Sequence, residues 1–210
     1  MRTNHSATID YINGTFAPED ALLQQVRAVG ESLAPGMQIS PYEGKMLQLF
    51  ARMISATRVL EIGSFVGYST ISLARALPAD GTLVTLEFNP KHAAYARTHL
   101  ASYPQVQVIE GDALALIDTL DGPFDLLFID AEKRSYMKYL DAAMPKLRSG
   151  ALVIADNSLL FGALAGEPRI KVSAEAQEVM AALNRRLAQS DEFSGVMIPT
   201  EEGLTVAIKR

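Results

Sequence analysis

The chain contains no cysteine. That excludes disulfides, thiolate metal sites and thiol nucleophiles together. No run approaches the roughly 18 apolar residues of a membrane-spanning helix, and Met1 to Asp20 hold no apolar core of signal-peptide length. Neither export nor membrane insertion is therefore expected, and a cytoplasmic location is. There is no surplus of positive charge: 24 acidic residues face 19 basic ones, for a net charge of -5. No global field draws such a chain to nucleic acid or anionic lipid. Histidine is scarce, at three residues. His92 and His99 stand seven apart on one face of a predicted helix, read as a partly exposed face, and His5 falls in a terminal segment expected to be mobile. There is no Gly-x-Gly-x-x-Gly string and hence no evident pyrophosphate cradle.

What is present is a chain of 210 residues, 49% hydrophobic and 20% charged, suited to one soluble domain with a sizeable core. From residue 58 onward two patterns alternate. Runs rich in Val, Ile and Leu read as buried strands: Arg58–Gly63, Leu83–Phe88, Val106–Glu110, Phe124–Asp130 and Ala151–Ala155. Between them Tyr68–Leu77, Pro90–Leu100 and Tyr136–Leu147 carry a helical period. This alternation predicts a parallel sheet covered on both faces. A further helix near Ser173–Ala188 turns Val179, Met180, Leu183 and Leu187 to one side. The strand-like runs Gly195–Pro199 and Leu204–Ile208 are joined by a link too short for a crossover, so they form an antiparallel hairpin. Residues 1–57 read as a helical cap on a Rossmann-like core of residues 58–210, the two making one domain.

The segment Val59-Leu60-Glu61-Ile62-Gly63-Ser64-Phe65-Val66-Gly67-Tyr68-Ser69-Thr70 is an apolar strand, a glycine turn and a helix start. Open α/β sheets bind their ligands there, at the carboxyl ends of the strands. Gly63 permits a close backbone approach, and the amides past Gly67 offer a place for a carboxylate or phosphate. Glu87 ends the next strand, where an acidic residue can accept both hydroxyls of a ribose. Glu110-Gly111-Asp112-Ala113 follows the third strand, within reach of an adenine edge.

This segment resembles motif I of class I S-adenosylmethionine methyltransferases. In detail it is similar to the cation-dependent O-methyltransferases, the group of catechol and caffeoyl-CoA O-methyltransferases and their small bacterial relatives. The resemblance runs from about Met37 to Arg210. It implies a Rossmann-like fold with a seven-stranded, mostly parallel sheet ending in an antiparallel hairpin. It implies S-adenosyl-L-methionine as cofactor, with Met37 and Ile39 at the methionine end and Glu61, Gly63, Ser64 and Ser69 around the amino acid moiety. Glu87 would hold the ribose, Asp112 and Ala113 would border the adenine, and Tyr68, Asp130 and Glu132 complete the cofactor contacts. A homodimer is implied by the resemblance alone.

The fourth strand ends in Asp130-Ala131-Glu132-Lys133 and the fifth in Asp156-Asn157. In a parallel sheet both ends open beside Gly63 and Glu87. Either aspartate alone would be read as a helix cap or a loop bond. Both together, with Asn157 and the spacing to Lys133, point to a hard divalent cation such as Mg²⁺, and the lack of His or Cys there speaks against zinc. In the resembling family the positions matching Asp130, Asp156 and Asn157 hold the metal, and the lysine matching Lys133 is the proposed general base. Lys133 would act once a neighbouring cation and partial burial depress its pKa.

The acceptor is expected to be a small hydroxylated aromatic or vicinal diol. The match weakens at Leu160 and Phe161, where plant caffeoyl-CoA enzymes carry Trp and Asn, while Ala131 agrees with the caffeoyl-CoA group and not the catechol enzyme. The loop Gly162–Val172 is expected to border the acceptor pocket. A hydroxylated transfer RNA uridine is the alternative acceptor, for which Arg134, Lys138, Arg169 and Lys171 would supply a basic surface. An NAD-dependent oxidoreductase and a non-catalytic scaffold are the disfavoured readings from other classes.

Overall fold

The computed structural model describes residues 6–210. His5 lies outside the described residues. Three helices precede the first strand: α1 (Ser6–Phe16), α2 (Ala21–Leu33) and α3 (Pro41–Met53). Asp20 caps α2 by accepting from Leu23 N. Ser40 and Glu43 form a reciprocal capping box on α3, with Pro41 at its first position.

The core then alternates: β1 (Arg58–Ile62), α4 (Tyr68–Ala74), β2 (Thr82–Glu87), α5 (Pro90–His99), β3 (Val106–Glu110), α6 (Ala113–Ile117), β4 (Phe124–Ile129), α7 (Tyr136–Ala143), β5 (Leu147–Ala155), α8 (Ala174–Gln189), β6 (Phe193–Ile198) and β7 (Leu204–Lys209). The sheet has seven strands in the order β3-β2-β1-β4-β5-β7-β6. β1 to β5 pair in parallel. β7 runs antiparallel to both β5 and β6. The predicted parallel sheet with a terminal hairpin is therefore what forms.

Side chains alternate across each strand, and each face of the sheet carries its own core. Leu60, Ile62, Leu127, Ile129 and Val153 pack with Ile117, Leu140, Met180, Leu183 and Leu187 on one side. Val59, Leu126, Phe128 and Ile154 pack with Val26, Leu47, Ile71 and Ala96 on the other. Glu61 shares the side of Val59, so a carboxyl lies inside the second core.

At the amino ends of the strands Asp125 ties β1, β4 and β5 together. It accepts from Thr57 N (2.7 Å), Arg58 N (2.8 Å) and Arg148 Nε (2.5 Å). Burial acts to raise its pKa, but the Arg148 bond and these amides outweigh it and hold the carboxyl down at about 2. Among the described residues no helix is long and apolar enough to cross a membrane.

Element ends differ from expectation where turn chemistry intervenes. α4 stops at Ala74, short of the expected Leu77, before Pro78 and Gly81. α7 ends at Ala143 and gives way to a 3₁₀ turn over Met144–Lys146, because Pro145 lacks the amide a longer helix needs. β5 starts at Leu147, four residues early, and the five-residue α6 went unpredicted.

Candidate active site

The carboxyl ends of β1 to β5 converge on one cavity of about 800 Å³. It opens where the strand order reverses around β1 and β4, the expected ligand crevice of an open α/β sheet. Gly63 lies between them at φ +95°, and a Cβ there would stand 2.0 Å from the Asp130 carbonyl oxygen. Both the left-handed backbone and the close approach of the two loops require glycine.

Met37, Ile39, Gly63, Ser64, Tyr68, Ser69, Glu87, Asp112, Ala113, Asp130, Glu132, Lys133 and Asn157 all line this cavity. Glu61 and Asp156 do not. Glu61, within β1, is fully buried on the side facing α4, where Thr70 Oγ1 donates to its Oε2 at 2.5 Å. Burial, set against bonds from Ser69, Thr70 and Thr85, pushes its carboxyl up to about 7. Asp156 is buried just behind the wall.

Glu87 is held at the rim by main-chain amides. Its Oε2 accepts from Ser64 N (3.2 Å) and Phe65 N (2.8 Å), and its Oε1 from Asn89 N (2.9 Å). A carboxylate offers about four acceptor positions, so capacity remains for a ligand hydroxyl. Ser64 Oγ is buried in the cavity wall without a partner, a polar atom that a bound ligand would satisfy. Asp112 caps α6 by accepting from Leu114 N.

Lys133 Nζ donates to Asp130 Oδ1 (2.9 Å) and to Tyr136 Oη (2.7 Å), and Tyr136 Oη lies 3.3 Å from the Asp156 carbonyl oxygen as donor. The fall expected of the lysine pKa was tied to a neighbouring cation; the protein's own groups act the other way. Burial does act downward, but Tyr136, Asp130 and Asp156 outweigh it and hold the ammonium form above the usual lysine range. The Asp156 carboxyl goes the other way: burial and the nearby charges of Asp130 and Glu43 hold it well above the carboxylate range. Its Oδ1 has no hydrogen-bond partner. Among the described residues no group of three or more His, Cys, Asp or Glu is placed to hold a metal; Asp130, Asp156 and Asn157 offer two carboxylates and one amide.

The partly exposed face expected of the histidines holds for His92 and fails for His99. They share one side of α5, where Ala93, Ala96 and His99 are buried and His92 is partly exposed. His99 is 7% exposed and its Nδ1 donates to the Val66 carbonyl oxygen at 2.8 Å. His92 lines the cavity, with Nδ1 3.7 Å from Glu87 Oε1 and its ring edge-on to Phe65 at 4.7 Å. Phe65, Phe88, Tyr139 and Phe161 also line the cavity unforeseen. Phe65, Asn157 and Phe161 have φ near +50°. Such left-handed non-glycine backbone gathers at ligand sites held by their surroundings. Of the basic residues offered for an RNA surface, Arg134 is bonded to Glu132 and Arg169 to Glu202.

Comparison with known proteins bears on this cavity. A family model described as O-methyltransferase matches residues 14–210. A catechol O-methyltransferase of Niastella koreensis is 42% identical over 156 residues, covering 71% of each chain. A catechol O-methyltransferase of Mycobacterium tuberculosis is 40% identical over 162 residues, covering 75% of this chain and 74% of that protein. Among solved structures, the O-methyltransferase TomG of Streptomyces achromogenes, involved in tomaymycin synthesis and in complex with S-adenosylmethionine, superposes with a TM-score of 0.85. It is 33% identical, and the match covers 97% of this chain and 96% of that one.

Proposed function

Since this chain belongs to the O-methyltransferase family, we propose that its S-adenosylmethionine-dependent transfer goes to one hydroxyl of a catechol-like acceptor. We further propose a divalent cation, Mg²⁺ or a near equivalent, held by Asp130, Asp156 and Asn157. The observation that carries the metal is the unpartnered, buried Asp156 Oδ1. Asp156 faces the charges of Asp130 and Glu43 with Lys133 as the counter-charge. A buried anionic excess of this kind calls for a cation, and an all-oxygen donor set suits a hard one.

The donor is a sulfonium. An acceptor oxygen attacks its methyl carbon, the carbon–sulfur bond breaks, and the electron pair stays on sulfur in a neutral thioether. No acid is needed. The obstacle is the acceptor, since a neutral phenol has a pKa of about 10. The cation would supply Lewis acidity that lowers this value. Ser64, Ser69 and Tyr68 on the wall orient the amino acid end of the donor, and Glu87 its ribose, so that sulfur, methyl and oxygen align. Lys133 takes the acceptor proton in its neutral form, and its surroundings keep that form scarce near neutrality.

The test is transfer of a labelled methyl group from S-adenosylmethionine to caffeic acid, with Mg²⁺ and with chelator. Turnover abolished by chelator and restored by excess Mg²⁺ is expected. Turnover indifferent to chelator would overturn the metal, and no turnover with added Mg²⁺ would overturn the simple catechol acceptor.

A further inference from the structure

Residues 35–39 form an irregular strap between α2 and α3, and Met37 and Ile39 on it line the cavity. The strap is fastened to α2 at several points. Gly36 N donates to Glu31 (3.1 Å), and Gln38 Nε2 donates to the Arg27 carbonyl oxygen (3.1 Å). The Gln38 amide lies so close to Gly30 that a Cβ there would stand 2.1 Å from it. The centre of the fastening is the Arg27 side chain. Its Nε donates to Glu19 Oε1 (2.7 Å), its terminal nitrogen to the Ile39 carbonyl oxygen (3.3 Å), and its guanidinium carbon stands 4.3 Å over the Tyr68 ring. Tyr68 Oη donates to the same Glu19 oxygen at 2.6 Å.

Arg27 thus joins two parts of the cavity wall that are far apart in sequence, the strap and the first residue of α4. It does not line the cavity itself. Its side chain and that of Glu19 are only 23% and 16% exposed, so the pair is shielded from the screening that weakens surface ion pairs. A planar guanidinium meets a carboxylate, a carbonyl and an aromatic face at once, which a lysine ammonium cannot.

We propose that Arg27 is a positioning residue for the methyl donor: it latches the 35–39 strap and Tyr68 in the arrangement that the donor meets on binding. The proposal rests on reading the cavity as the donor site. A wall held in place before binding spares the donor the entropy of ordering it. The latch therefore acts on donor affinity more than on the transfer step.

The test compares wild type with Arg27→Met, Arg27→Lys and Glu19→Gln, each checked for folding by thermal denaturation. Two quantities are read: amide hydrogen exchange over residues 35–39 without ligand, and S-adenosylhomocysteine affinity by calorimetry alongside the donor KM and kcat. Arg27→Met should speed exchange across the strap and weaken S-adenosylhomocysteine by about tenfold, with the loss in KM and not in kcat. Arg27→Lys should recover part of the affinity, because an ammonium reaches Glu19 but not the other two partners. If Arg27→Met does not fold, Arg27→Lys and Glu19→Gln carry the comparison. Exchange and affinity unchanged in the folded variants would overturn the latch, and so would losses shared equally by kcat. Failure of the wild type to bind S-adenosylhomocysteine would overturn the donor-site reading and the role given to Arg27, while the exchange data would still decide whether the strap is latched.

Discussion

The Lys133 ammonium stands 2.9 Å from Asp130 Oδ1, so the group proposed to take the acceptor proton is ion-paired to a side chain proposed to hold the cation. Tyr136 Oη, 2.7 Å from the same nitrogen, adds a second partner. Proton acceptance and cation binding are coupled through this pair, and neither residue can be changed without disturbing the other.

Replacing Lys133 by Met should lower kcat by roughly 10² to 10⁴, with donor affinity close to wild type. Lys133→Arg should not restore the rate, because a guanidinium does not deprotonate in the working range. Charged neighbours hold Lys133 above its ordinary pKa, so the neutral form grows with pH without levelling off. The wild-type rate should accordingly climb from about pH 7 to about pH 9. A rate flat over that interval in wild type and lowered little by Lys133→Met would remove the lysine from proton transfer.

Asp156→Asn separates stability from activity. Without metal, the wild-type carboxyl is buried with an unpartnered oxygen and faces like charges. An amide never ionises and so escapes the cost of keeping this carboxyl protonated in the fold, and the metal-free variant should resist denaturation near neutral pH better than wild type by about 1–3 kcal/mol. Added Mg²⁺ should raise the wild-type melting temperature and leave the variant unmoved, and chelator-sensitive turnover should vanish. A variant that still gains stability from Mg²⁺ would place the cation elsewhere.

The sheet was legible because β1, β2, β4 and β5 are runs dominated by Val, Ile, Leu and Phe, as strands buried on both faces are. The turn at Gly63 and the acids at 87, 130 and 156 followed from strand ends sharing one edge. Features built from residues distant in sequence left no such trace. The Arg27 latch unites positions 19, 27, 39 and 68, for which no spacing rule exists. α6, at five residues, is too short to show a period. The seven-residue spacing of His92 and His99 predicts a partly exposed face, and the fold departs from it at His99, which is buried. Ala93 and Ala96 lie on the same side, and those small residues were the available sign that it packs inward. Tyr136, three residues past Lys133, was within sequence reach, and its contact with the lysine nitrogen was the part missed.

His92→Leu tests the residue that the sequence undervalued. Its Nδ1 lies 3.7 Å from Glu87 Oε1, and its ring supports Phe65 edge-on. Leucine keeps the apolar support and removes the polar partner. If Glu87 holds the donor ribose, the variant should bind adenosine roughly threefold to tenfold more weakly, with methionine binding unchanged. Equal losses for both fragments would mean that the substitution disturbs the whole wall and not the Glu87 carboxylate.

Glu61 gives the fold a pH dependence opposite to that of Asp125. Burial raises the Glu61 carboxyl from 4.5 to about 7 in the folded chain, so the folded state keeps a proton that the unfolded state releases first. Below pH 4.5 the residue is protonated in both states and exerts no penalty. As pH rises from there through about 7, the unfolded chain ionises while the folded one does not, and stability declines. Above that window the residue has no further effect. The gap is worth on the order of 3 kcal/mol. Glu61→Gln keeps the bond to Thr70 and cannot ionise, so its denaturation midpoint should lose this decline. Asp125, held at about 2, contributes stability above 3.8 that is lost as pH falls through about 2, well outside the Glu61 window. Urea midpoints of wild type and Glu61→Gln measured across about pH 4 to about pH 8 should therefore diverge progressively. Parallel curves would mean that Glu61 titrates in the fold as it does in the unfolded chain, with Thr70, Ser69 and Thr85 offsetting the cost of burying its charge.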